Sequence, residues 1–501
     1  MSERLRPRDV AFLAAESPST PMHNATVEVF DPGESGFDHD RLLRLIEERI
    51  SFVPRYRQRI RTVPGRLANP VWVDDEHFDL AYHVRRSALP RPGSLDQLRE
   101  LVARIVSRPL DRSRPLWEMY FVEGLADGRV ALLSKSHQVL VDGVHTVDLG
   151  QVLLDTSPEP KELGADEWRP GRPASAPALL LEAARDTALH PRTALDTVRS
   201  RAGSLLRSAD AASRRTSRVV GGLAGHDPER ETPINGPLSQ QRWVLAVRTE
   251  LADHRAVSRV HGSTVNDVVL ATVAGALRAW LMSRPDSSRE LRQIRALAPV
   301  SVIDEEREAT SLGSQIAPHF VDLPVGEPSP VVRLHQVSYS FLAHRETGRG
   351  VAANRLAGIA GFAPATFHAI GSRVAAEELR RGFQLCVTNV PGPQSPLYAA
   401  GARMVRTYPV PPLLPGHGLA IGVTSYDGGV YYGLTADRAL LPDADLLVPC
   451  LREALDELVD TTSGARPRAP RGRTPGGRSA RSGGSSKSSG SSGSSKAGER
   501  S

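Results

Sequence analysis

The chain has 501 residues, with 63 Lys and Arg, 57 Asp and Glu and a net charge of +6. This length suffices for two domains of ordinary size and a tail. The first thirty residues lack an uninterrupted apolar block, so no signal peptide is predicted, and no apolar window of about eighteen residues predicts a membrane-spanning helix. The two cysteines exclude a disulfide framework and argue against structural zinc, so we expect no metal and a cytoplasmic location.

The positive charge is concentrated in the last segment, residues 463–501, which we call the tail. From Ala465 onward the tail contains nine Lys and Arg against one Glu, so the rest of the chain has a net charge of −2. Its Gly, Ser and Arg content, without aromatic or long aliphatic residues, predicts a solvated, disordered segment. No specific nucleic-acid partner is therefore expected, although contact of the tail with anionic lipid or nucleic acid is the alternative.

The first half, residues 1–156, mixes predicted helices and strands. Apolar residues at helical spacing predict a helix over 38–50, and a capping box of Ser94 and Gln97 predicts the start of another. Pro115 precedes a predicted strand over 119–122. Trp117, just before this strand, is expected to be a core residue.

The end of this half carries the polar heptapeptide His137-Gln138-Val139-Leu140-Val141-Asp142-Gly143. The segment 130–136 before it reads as a strand, and helical spacing follows from Val144 to Leu154. Gly143 therefore lies where a strand turns into a helix. Polar side chains at such a junction are held by two elements and can face a cavity.

A Pro-, Arg- and Ala-rich connector, residues 157–232, leads to the second half, residues 233–462. There Thr264 and Asp267 predict a helix cap, which leaves Asn266 in the first helical turn. A strand is predicted over 383–388, followed by a turn over 389–393. The Asp427-Gly428 pair predicts a hairpin turn, and a closing helix is expected over 443–458.

Several motifs resemble the bacterial wax ester synthase/diacylglycerol acyltransferase family from about residue 4 to residue 457. The heptapeptide resembles the HHxxxDG signature of this acyltransferase superfamily, and the other matching elements are Pro115-Leu116-Trp117, Asn266-Asp267, Pro299-Val300-Ser301-Val302 and Asn389-Val390-Pro391-Gly392-Pro393. The resemblance implies an α/β (α+β) fold of two chloramphenicol-acetyltransferase-like domains, with mixed sheets and a channel between them. It also implies that Asp142 orders its loop, and that Asn266 and Asp267 lie near the substrate.

The resemblance assigns the general base to the second His of the signature, where this chain has Gln138. A glutamine amide neither accepts nor releases a proton near neutral pH, although it can donate a hydrogen bond to a carbonyl. His137 and His145 are the candidate substitutes. If His137 and Gln138 both lay on the strand, their side chains would point to opposite faces, unless the strand is irregular at its end. We therefore predict a catalytic group of His137, Gln138, Asp142 and Gly143, in which His137 is either the base or a structural residue.

The function implied by the resemblance is acyl-CoA-dependent esterification of diacylglycerol, or of long-chain alcohols to wax esters. Acyl-CoA would be a substrate rather than a cofactor, and a lipid hydroxyl would be the acceptor. Such substrates predict peripheral contact with membranes or lipid droplets. Two alternatives remain: a lipid- or acyl-CoA-binding regulatory protein that has lost the base, and an acyltransferase for another acceptor.

Overall fold

A computed structural model describes residues 3–66, 68–140, 149–160, 168–171, 175, 177–181, 185, 232–284, 292–301, 316–345, 373–376 and 382–463. Most of the connector and the tail from residue 464 lie outside the described residues. So do Asp142, Gly143 and His145, for which the sequence predictions stand without a structural test.

In the described part of the first half, helices and strands are mixed, as predicted. The strands are β1 (His23–Asp31), β2 (Gln58–Arg61), β3 (Val71–Asp74), β4 (Val84–Ala88), β5 (Trp117–Glu123) and β6 (Val130–His137). The helices are α1 (Pro7–Ala15), α2 (His39–Arg49), α3 (Leu80–His83), α4 (Leu95–Val106) and α5 (Leu149–Leu153). The predicted capping box starts α4, since Ser94 and Gln97 exchange side-chain and backbone hydrogen bonds.

The described part of the second half contributes further strands and helices, besides a short helical segment over residues 373–376. The strands are β7 (Arg242–Glu250), β8 (Ile294–Leu297), β9 (Val300–Ser301), β10 (Ile316–Ala317), β11 (Phe320–Leu323), β12 (Leu385–Pro391), β13 (Tyr398–Ala399), β14 (Ala402–Val410), β15 (Leu419–Tyr426) and β16 (Gly429–Asp437). The helices are α6 (Leu251–His261), α7 (Val265–Met282), α8 (Pro330–Arg345) and α9 (Leu447–Asp460). Asp427 and Gly428, both with positive φ, form the predicted hairpin turn between β15 and β16.

The described residues form two six-stranded mixed sheets, and each sheet packs on a separate hydrophobic core. The strand order is β13-β14-β1-β6-β5-β4 in the first sheet and β11-β8-β12-β15-β16-β7 in the second. β13 and β14 come from the second half of the chain, and β14 pairs along β1 from Ala25–Val410 to Asp31–Arg403. The two halves therefore share the first sheet, which the sequence-based boundary at residue 156 does not anticipate.

Strand β14 passes very close to strand β16 of the second sheet at Gly433. A Cβ atom at Gly433 would lie 1.7 Å from the carbonyl oxygen of Pro409 in β14. No side chain larger than hydrogen fits this crossing, so the glycine is required by close backbone approach.

Helix α7 corrects one sequence prediction. Its 18 residues, with a mean hydropathy of 1.3, are long and apolar enough to cross a membrane by length and composition. The prediction that no stretch reaches this limit was therefore wrong. The helix is nevertheless 72% buried inside the protein, where it packs in the core of the second half, and such core helices meet the same limit.

Candidate active site

Strand β6 ends within the heptapeptide, between its first two residues. His137 is the last residue of β6, and Gln138–Leu140 form a single 3-10 turn. The His137 amide donates to the Leu116 carbonyl at 2.9 Å, and the Gln138 amide donates to the Met22 carbonyl at 3.0 Å. Gln138 therefore lies beyond the strand, and the rule that successive strand side chains point to opposite faces does not apply to it. The strand is irregular at its end, which is the second of the two geometries considered from the sequence.

The His137 ring supports the 3-10 turn. It is 1% exposed, and its Nδ1 accepts a hydrogen bond from the Val139 amide at 3.0 Å. A backbone amide only donates, so Nε2 carries the proton in the neutral ring, and it lies 3.8 Å from Oε2 of Glu16. Burial lowers the pKa of His137, although the Glu16 carboxylate opposes this shift. This geometry favours the structural alternative, while a base role for His137 stays a prediction.

Gln138 is fully buried, and neither the oxygen nor the nitrogen of its side-chain amide has a hydrogen-bond partner. An unpaired buried polar group costs about 1–3 kcal/mol. The amide is therefore available to a ligand: its N–H can donate to a carbonyl oxygen, and its oxygen can accept from a hydroxyl group.

A second unpaired amide lies on the neighbouring strand. Asn24 of β1 pairs with Ser136 of β6, and both line a cavity of about 30 Å³ together with Thr26 and Ser134. Both polar atoms of the Asn24 side chain are buried without a partner. Sequence reasoning missed Asn24, because its polar environment depends on the pairing of β1 with β6.

Four charged residues around the turn were also missed. Glu16 pairs with Arg112, whose Nε donates to Oε2 at 2.8 Å, and Asp9 pairs with Arg373 of the second half. Burial raises the pKa of Glu16, but His137 and Arg112 outweigh this effect and hold it below its ordinary value. Glu16 therefore remains an anion at neutral pH despite its burial.

In the second half, Asn266 and Asp267 lie at the start of α7, as predicted. Thr264 and Asp267 form the capping box, and the Asp267 carboxylate also accepts from the Ser338 hydroxyl at 3.0 Å. Oδ1 of Asn266 accepts from Nδ2 of Asn389 at 2.9 Å. Asn389 lies in strand β12 rather than in the predicted turn, so the strand is longer than expected.

The structure thus brings the predicted residues together in two groups. His137 and Gln138 share the end of β6, whereas Asn266 and Asp267 share the start of α7. No hydrogen bond or ion pair joins one group to the other in the part of the chain that the structure describes. Trp117 is a buried core residue, as predicted, and its Nε1 donates to the Tyr56 carbonyl at 2.7 Å.

Two protein-family models match most of the chain. Residues 5–269 match the model described as wax ester synthase/diacylglycerol acyltransferase catalytic domain, and residues 312–459 match the WS/DGAT C-terminal domain. Over 467 residues the chain is 32% identical to the Mycobacterium tuberculosis protein named "Probable diacyglycerol O-acyltransferase tgs2", covering 91% of this chain and 98% of that protein. Over 259 residues it is 39% identical to tgs3 of the same species, covering 51% of this chain and 96% of tgs3.

Among solved structures, the wax ester synthase/diacylglycerol acyltransferase from Marinobacter aquaeolei VT8 has a similar fold. The TM-score is 0.64 at 26% sequence identity, over 92% of this chain and all of that chain. The predicted two-domain α/β architecture with mixed sheets is therefore confirmed.

Proposed function

The chain belongs to the wax ester synthase/diacylglycerol acyltransferase family, and on this premise we propose that it is an acyl-CoA-dependent O-acyltransferase. The proposed acceptor is the free hydroxyl of diacylglycerol, which gives triacylglycerol, with long-chain alcohols as a second acceptor class that gives wax esters. The names of its relatives support this reaction. In the reaction the acceptor oxygen forms a bond to the acyl carbon, the carbon–sulfur bond breaks, and the hydroxyl proton ends on the CoA thiol.

The structural observation that supports this reaction is the unpaired, buried side-chain amide of Gln138. Its N–H is suited to donate to the thioester carbonyl oxygen as negative charge develops there, which is a hydrogen bond that stabilises the transition state. The same side chain cannot remove the hydroxyl proton. General-base catalysis contributes roughly 10²- to 10⁴-fold, so we expect slow turnover that relies on positioning and hydrogen bonding.

We also propose that the protein works at the surface of membranes or lipid droplets. Diacylglycerol and long-chain alcohols are held in such phases, so the enzyme must reach them there. Flotation of the purified protein with vesicles that contain diacylglycerol tests this proposal. Vesicles that rise without the protein would contradict it.

The function itself is tested by thiol release from acyl-CoA, followed colorimetrically with purified protein. Diacylglycerol or hexadecanol is the acceptor, and omission of the acceptor measures simple hydrolysis. We expect slow, acceptor-dependent release. Absence of release from the wild type would overturn the enzyme proposal. Release from Gln138→His alone would then favour the alternative, a lipid- or acyl-CoA-binding regulatory protein that has lost the base.

A further inference from the structure

Helix α1 is fixed at both ends by carboxylates that are almost completely buried. Asp9 lies in its first turn and is 4% exposed, and it pairs with Arg373, which is 5% exposed. Glu16 follows the last residue of α1, and its side chain is 6% exposed where it pairs with Arg112. Buried carboxylates persist as anions only when they are paired, so the position of α1 depends on these two contacts.

Each ion pair also reaches the turn that carries Gln138. Nη1 of Arg373 donates to the backbone carbonyl of Gln138 at 3.4 Å. Oε2 of Glu16 lies 3.8 Å from Nε2 of His137, whose other ring nitrogen accepts from the Val139 amide. Asp9 therefore acts on the turn through Arg373, and Glu16 acts on it through His137.

These contacts matter because the Gln138 side chain has no partner of its own. Its direction is set by the backbone, which is held at the amide by Met22, at the carbonyl by Arg373 and one residue later by His137. A loss of either carboxylate frees one of these three anchors. The buried amide would then be able to turn away from the reacting carbonyl.

We infer that Asp9 and Glu16 are positioning residues for acyl transfer, which hold the Gln138 turn from the two ends of α1. The inference rests on the proposed function. It requires no contact between either carboxylate and a substrate. The expected signature is therefore a fall in kcat at nearly constant KM, since misplacement of a catalytic group weakens the transition state more than substrate binding.

The test compares Asp9→Asn and Glu16→Gln with Glu3→Gln. Glu3 is the matched control, because it forms an ion pair with Arg55 near the same terminus but is 62% exposed. Among the described residues it makes no hydrogen bond or ion pair with the turn. We expect roughly a tenfold to hundredfold loss of kcat in the first two variants, KM within about twofold of the wild type, and no change in Glu3→Gln. The conservative variants Asp9→Glu and Glu16→Asp retain the charge and are expected to recover part of kcat.

A second measurement does not depend on turnover. Hydrogen exchange of the backbone amides over residues 137–140 is expected to accelerate in Asp9→Asn and Glu16→Gln, but not in Glu3→Gln. An active wild type with unchanged kcat in both variants would overturn the inference and leave the proposed function intact. A wild type without turnover would defeat the proposed function, and unchanged exchange over 137–140 would then defeat the inference as well.

Discussion

Replacement of Gln138 by His tests whether a missing base limits this enzyme. The side chain is fully buried and its amide is unpaired, so the substitution breaks no hydrogen bond of the side chain. Two neighbouring histidines show what burial does to an imidazole there. Burial lowers the pKa of His137, and burial together with the charges of Lys135 and His137 lowers that of His23 well below its ordinary value. A histidine at position 138 is therefore expected to be neutral at pH 7 and able to accept a proton.

The expected gain follows from the usual contribution of general-base catalysis. We predict that Gln138→His raises kcat about 10²- to 10⁴-fold, which corresponds to a transition state lower by about 3–5 kcal/mol. Initial rates of acceptor-dependent thiol release, measured from pH 5 to pH 9, give the change. The variant is also expected to lose activity only at a pH below the ordinary imidazole pKa of about 6.5, because burial delays protonation of its imidazole. The wild type has no titrating group at position 138 and should lack this loss.

Gln138→Leu is the matched control, since it removes the hydrogen-bonding amide and adds no base. We expect it to be slower than the wild type by about tenfold or more. Thermal unfolding of both variants separates changes in kcat from loss of folded protein. If folded Gln138→His has the same kcat as the wild type, proton transfer does not pass through position 138 and the reasoning is refuted.

Three further substitutions test the scaffold. Asp155→Asn breaks the buried ion pair between Asp155 and Arg49, whose side chains are 4% and 2% exposed, respectively. Chemical denaturation is expected to show a free energy of unfolding lower by about 3–5 kcal/mol. An unchanged midpoint and slope of the unfolding transition would contradict this. Gly433→Ala places a methyl group 1.7 Å from the Pro409 carbonyl oxygen and is expected to cost more than about 3 kcal/mol or abolish soluble protein, so wild-type thermal stability would disprove the close crossing. Burial lowers the pKa of His254, so the unfolded chain binds that proton first and the free energy of unfolding falls as the pH drops below about 6.5. In His254→Gln this loss is expected to be smaller by up to about 1.4 kcal/mol per pH unit, and an identical pH dependence would rule out the contribution.

Local features of the fold were predictable from the sequence because adjacent residues determine them. The capping boxes of α4 and α7 each involve residues three apart in the chain. The hairpin turn at Asp427-Gly428 requires positive φ at two consecutive positions, which these residue types tolerate. Each of these elements could be located without knowledge of the rest of the structure.

The contacts that organise the site could not be predicted from adjacent residues, because they join distant parts of the chain. Asp9 and its partner Arg373 are 364 residues apart, and Glu16 and Arg112 are 96 residues apart. Nothing in the local pattern around Asp9 distinguishes an interior ion pair from an ordinary acidic residue in the first turn of a helix. The Asn266–Asn389 hydrogen bond joins two motifs that were recognised separately, and only the folded structure reveals their contact.

The origin of β14 limits how the protein can be divided. β14 pairs with β1 in the interior of the first sheet, although it is encoded far beyond the connector. A fragment that ends before residue 232 would leave β1 as an open strand edge, and open edges recruit other strands and aggregate. Cleavage within the connector, in contrast, leaves every strand pair of the two sheets in place. The first sheet is thus complete only when strands from both halves of the chain are present.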